Sequence, residues 1–132
     1  MSIQIIISSF LVLFLFSSCG LEKEEIPAYV HISDYSLSTK GFEGSNSNKI
    51  DGVWVVQSNQ EQGAYELPVT FPVLSTQGSE LRILAGITVN GISTTRTNYP
   101  FYNAYRVDRP LIAGEVDTIE PEWGYADYAS FA

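Results

Sequence analysis

Hydrophobic and polar positions fall into three regimes along the chain. Residues 3–16 are almost continuously apolar, interrupted only by Gln4, Ser8 and Ser9. Ser17, Ser18 and Cys19 follow, and Leu21-Glu22-Lys23-Glu24-Glu25 is abruptly charged. After Pro27 the dominant period is two, which marks strands with one buried face. Over Ala28–Leu37, Val30 and Ile32 share one face, and Tyr29, His31 and Tyr35 the other. Ile50–Gln57 is β-branched and aromatic, and Ser58–Gly63 reads as a polar turn. Tyr65, Leu67, Val69, Phe71 and Val73 then alternate with polar residues and prolines. Pro68 and Pro72 place this strand at a sheet edge or break it in the middle. Leu81, Ile83, Ala85, Ile87 and Val89 give a second clean alternation. Asn90-Gly91 suits a type I′ turn, where both central residues need positive φ, with Ile92–Thr97 as the returning strand. Ser38–Asn48 and Ser75–Ser79 are loops. No stretch after Cys19 carries a 3.6-residue apolar period, so the expected fold class is all-β, an antiparallel β-sandwich.

The apolar N-terminal run falls short of the ~20 residues of a membrane span. An apolar core, small residues and then a polar chain is the order of a secretory signal. The expected organisation is a signal peptide over 1–18, an acidic tether over 19–25 and a β-sandwich over 26–113. From Glu115 acidic and aromatic residues mix, so 114–132 reads as a linker or the start of a further domain. The pattern stops at Phe131-Ala132 as though entering another element, so a truncated chain is part of the expectation.

Charge narrows the partners. Seven basic residues face fifteen acidic ones, a net charge of −8. All of them lie after the signal, with no basic cluster, and such a surface repels nucleic acid. Cys19 is the only cysteine and His31 the only histidine. That leaves no disulfide and no ligand set for zinc. A lone strand histidine lacks the partners nucleophilic catalysis needs, so a non-catalytic protein without cofactors is expected. Glu115, Asp117, Glu120 and Glu122 lack the ligand order of a calcium loop. Such a run reads as a solvated linker, with glycoside chemistry as the remaining use of a carboxylate pair such as Glu120 and Glu122. The best binding candidates are Tyr99, Phe101, Tyr102 and Tyr105. Exposed, they would form an interaction patch able to stack on sugar rings; buried, they would fill the core or its end.

Four resemblances sharpen this. Phe16-Ser17-Ser18-Cys19 resembles the lipobox of bacterial lipoproteins, with Phe16 where Leu is usual. The resemblance implies cleavage before Cys19, a diacylglycerol on its thiol and a membrane partner through that lipid. Two or three acyl chains anchor stably where one does not. The alternative is a short N-terminal anchor with an incidental cysteine. Glu22, Glu24 and Glu25 resemble the acidic export signal of Bacteroidota lipoproteins, which implies an outer-membrane lipoprotein displayed at the surface; a periplasm-facing position stays open. Asp117-Thr118-Ile119 resembles the O-glycosylation acceptor of the same group, which marks Thr118. Finally, Val53-Trp54-Val55-Val56, Gly63, Pro68 to Leu74, Gly78 and Leu81 to Gly86 look like the PEGA-type module, an Ig-like envelope adaptor without catalytic residues. The function implied is a non-catalytic binding or scaffolding module whose partner is a glycan or an envelope protein. The alternative is the N-terminal spacer of a longer lipoprotein, with a carbohydrate-binding or hydrolytic domain beyond Ala132.

Overall fold

The computed structural model describes residues 24–74, 80–92 and 94–131. Residues 1–18, Cys19 and most of the tether lie outside them. The described chain is all-β. β1 (Ala28–Ile32), β5 (Val69–Val73) and β9 (Val116–Ile119) form one sheet, in the order β5-β1-β9. A second sheet has the order β4-β3-β6, from β4 (Gln60–Glu66), β3 (Gly52–Gln57) and β6 (Leu81–Thr88). β7 (Arg96–Asn98) and β8 (Tyr105–Val107) lie end to end along the remaining edge of β6. A small pair, β2 (Ser36–Ser38) with β10 (Glu122–Gly124), continues β1 and β9 past a short break.

Period two places the core. Val30, Ile32, Phe71, Val73 and Ile119 from the first sheet meet Val53, Val55, Leu81, Ile83 and Ala85 from the second, with Leu37 and Trp123 from the small pair. Burial of this kind stabilises by ~25 cal/mol per Å² of apolar surface. Tyr65 on β4 stacks on Phe71 on β5, ring centroids 5.1 Å apart, and so closes the sandwich where the chain changes sheets. That change occurs at Leu67 and Pro68. One alternation in the sequence therefore becomes two strands in two sheets, and β5, with Pro72, lies at a sheet edge. Within the second sheet Gly52 is obligatory, because a Cβ there would lie 2.6 Å from the Tyr65 carbonyl oxygen.

Several expectations change in detail. The polar turn shrinks to Ser58-Asn59, both at positive φ, and Gln60–Gly63 belongs to β4. Asn90 and Gly91 do adopt positive φ, at 60° and 69°, but the returning strand starts later, at Arg96. Tyr35 does not share the outer face with Tyr29 and His31. The break at residues 33–35 resets the phase, and the Tyr35 ring tilts against Trp123 while its hydroxyl donates to the Ile50 carbonyl at 2.7 Å. The sandwich is not wholly antiparallel, since β1·β9 and β2·β10 are parallel pairs.

The largest difference concerns 114–131, expected as a linker or the start of a further domain, which instead carries two strands of the sandwich itself. Ile119, Pro121, Trp123 and Tyr125 alternate with exposed Thr118, Glu120 and Glu122, and the alternation drives the segment into the sandwich as β9 and β10. The domain boundary at Ala113 therefore falls inside one folded unit. Trp123 is 1% exposed and its indole N–H donates to the Ile83 carbonyl at 3.1 Å, across to the second sheet. Arg109 fastens the outer strand. Its guanidinium donates two 2.8 Å bonds to the Asp117 carboxylate and one of 3.2 Å to the Thr118 carbonyl. That fork geometry suits a sheet margin, where a free strand edge invites pairing with other chains.

Trp123→Ala should lower the unfolding free energy by about 3–5 kcal/mol, the range for large aromatic truncations in a core. Urea denaturation followed by circular dichroism measures it. A loss below 1 kcal/mol would mean that the C-terminal strands do not hold the core. Arg109→Ala should leave the circular dichroism spectrum intact while raising self-association, read by light scattering as a function of concentration.

Candidate aromatic binding site

The Asn98–Ala104 stretch is the excursion between two strands that share one edge. β7 leaves β6 after pairing at Gly86, β8 returns to it at Ile83, and the residues between must bulge away. The Tyr99 amide donates to the Ala85 carbonyl at 2.8 Å, which fixes the start of the bulge. The C-terminal segment then closes over it. The Asn103 amide donates to the Gly124 carbonyl and the Ala126 amide to the Phe101 carbonyl, each at 2.8 Å, and Tyr102 bridges to Tyr125.

These backbone bonds gather five rings into a ladder. Phe101 meets Tyr99 edge-on at 5.5 Å, and Tyr99 meets Tyr102 at 4.5 Å. Tyr102 meets Tyr125 at 5.0 Å and Tyr125 meets Phe131 at 4.7 Å, both edge-on, with interplanar angles of 63° and 84°. Edge-to-face pairs of this kind contribute ~0.5–1.5 kcal/mol each beyond area burial. The outer rings, Phe101 and Phe131, are exposed, as is Tyr128, whose hydroxyl donates to the Pro100 carbonyl. Asn98, Asn103 and Asp127 supply an exposed polar rim along the same segments. Burial, and then the hydrogen bond with Tyr125, push the Tyr102 hydroxyl well above the ordinary tyrosine range.

The sequence candidates separate accordingly. Tyr99, Phe101 and Tyr102 come together. Tyr105 sits on β8 in register with Ile83, so its ring packs against the core and takes no part in the ladder. Trp123, in the last segment, is withdrawn into the core. Tyr125 and Phe131, absent from the candidates, complete the ladder, and Tyr128 reaches the same stretch through the Pro100 carbonyl. The signal that could have found them is the alternation running from Ile119 to Tyr125.

The other candidates occupy the first sheet. Thr118 is exposed on β9 in register with His31 on β1. The acceptor-like triplet is therefore a strand with Asp117 held by Arg109 and Ile119 buried. His31 Nδ1 lies 2.8 Å from the Thr70 hydroxyl, across an outward sheet face. Among the described residues no three His, Cys, Asp or Glu side chains gather as a metal site, and no helix is long and apolar enough to cross a membrane. Cys19 lies outside the described residues. Among the described residues, Asp51 Oδ1, Trp54 Nε1 and Arg96 Nε are buried side-chain atoms without hydrogen-bond partners. They flank Gly52 and Gly86, over which the Arg96 stem and the Trp54 indole lie.

No family model, curated protein or solved structure matches this chain.

The raised Tyr102 hydroxyl has a stability consequence of fixed sign. The unfolded chain loses this proton near pH 10, the folded chain only at higher pH. Its contribution is therefore fully present below about pH 10 and lost as pH rises through the folded value. Tyr102→Phe should flatten the fall of Tm between pH 9 and 11 relative to the unaltered protein. Parallel curves would place the ionising group elsewhere.

Proposed function

We propose that this chain is a lipid-anchored cell-envelope protein, held in the outer membrane through an acylated Cys19. Its sandwich is a non-catalytic binding module whose site is the ring ladder Phe101–Tyr99–Tyr102–Tyr125–Phe131. The observation that carries this reading is the ladder itself. Two separate chain segments are bonded together there, and the result keeps aromatic rings at the surface beside amide and carboxylate groups. Aromatic faces bind sugar rings through their apolar C–H surface, while a polar rim accepts and donates to hydroxyls. A glycan is the favoured ligand class, with another envelope protein as the alternative partner. The adaptor role implied by the PEGA-type resemblance is supported by the β3–β4 hairpin, the proline-bearing β5 and the return of β6 beside β3.

Two measurements test the reading. Cys19→Ser should release the protein from membranes and abolish lipid incorporation; unchanged partition would remove the anchor. Across a broad panel of bacterial and host glycans, tyrosine and tryptophan fluorescence should respond to at least one ligand. Phe101→Ala should then weaken that ligand about tenfold, about 1.4 kcal/mol. Binding that survives this change together with Phe131→Ala would move the site away from the ladder.

A further inference from the structure

An apolar patch stands at the opposite end of the sandwich from the ring ladder. Ile26, Ile112 and Val116 are 66%, 60% and 61% exposed, large values for aliphatic side chains, and Tyr29 beside them is also exposed. They are neighbours because the backbone brings them together. The Gly114 amide donates to the Pro27 carbonyl at 2.9 Å and the Tyr29 amide to the Glu115 carbonyl at 2.8 Å, while Tyr29 pairs with Val116. Ile112 and Val116 also border a hollow of about 220 Å³. Three exposed aliphatic residues in one place call for a partner surface.

Chain length says which. The patch surrounds the root of the tether, and residues 20–25 at ~3.6 Å each span at most roughly 25 Å from Cys19 to Ile26. A domain held on so short a leash is confined near the bilayer, and the nearest part of it is this patch. We infer that Ile26, Ile112 and Val116 form a seat on the lipid surface itself, resting in the boundary between headgroups and acyl chains. The inference rests on the anchor reading above. Glu24, Glu25 and Glu115 are exposed around the seat and would be repelled by anionic headgroups, so the fitting surface is a zwitterionic leaflet. The parallel pairs β1·β9 and β2·β10 run from the seat towards the ladder, from Val116 to Tyr125, up to roughly 30 Å of extended chain. Seating this end holds the rings at the far side, away from the membrane.

The test uses the full lipidated chain in phosphatidylcholine vesicles. A single added cysteine carries a polarity-sensitive fluorophore, in Ile112→Cys, Val116→Cys or, as the distal control, Asp127→Cys. Labels at 112 and 116 should shift to the blue and be quenched by brominated lipids, at a depth of about 5–10 Å, while the label at 127 stays in water. Adding Ile26→Glu and Val116→Glu should abolish quenching at 112 without lowering the membrane-bound fraction. Replacing phosphatidylcholine with phosphatidylglycerol should weaken quenching. Equal water exposure at all three positions would overturn the seat, as would protection that grows with protein density at fixed lipid, which signifies a second copy on the patch. Chain that leaves the vesicles altogether removes the anchor reading first; chain that stays bound with an open patch removes only the seat.

Discussion

The fold depends on a large side chain that crosses from one layer to the other. Trp123 is buried in the core, leans on Tyr35 and donates its indole N–H to the Ile83 carbonyl of the opposite sheet. Burying an indole without a partner for that N–H costs about as much as an unmade hydrogen bond. The Ile83 carbonyl therefore fixes the rotation of the ring as well as its depth. Once Trp123 is fixed, β10 is fixed beside β2, and Tyr125 follows it out of the core to meet Tyr102. The ring ladder is thus a by-product of how the core is closed.

The strands of the centre were legible because their chemistry is unambiguous. Val53, Val55, Ile83 and Ala85 alternate without interruption, and Asn90-Gly91 has few alternatives to its turn. What could not be read was which strands lie together. A run such as Tyr65 to Val73 keeps its period straight through the point where the chain passes between sheets, because both halves bury the same face. The parallel partnership of β1 with β9 leaves no local trace at all. It is a long-range choice, settled by whether Ile119 and Trp123 can reach apolar company.

The last strands were hidden by their own polar faces. Glu120 and Glu122 are the solvent side of a half-buried strand, yet acid density there resembles a linker. Pro121, an unusual residue for a strand, is buried at the break between β9 and β10. The aromatic candidates come together only in part, for a related reason. Tyr99, Phe101 and Tyr102 are adjacent in sequence and stay adjacent in space, whereas Tyr105 has crossed onto a strand whose register turns it inward. The two rings that complete the ladder come from the segment that had been set aside.

The pairing of Tyr29 with Val116 also governs when the protein can fold. Nearly the whole domain must be present before the first strand finds its parallel neighbour, so closure is dominated by contacts of large sequence separation. Such topologies fold slowly, since the entropy of bringing the ends together is spent before the contacts reward it. A chain emerging N-terminus first would hold Val30 and Ile32 without their β9 partner until the final strands arrive.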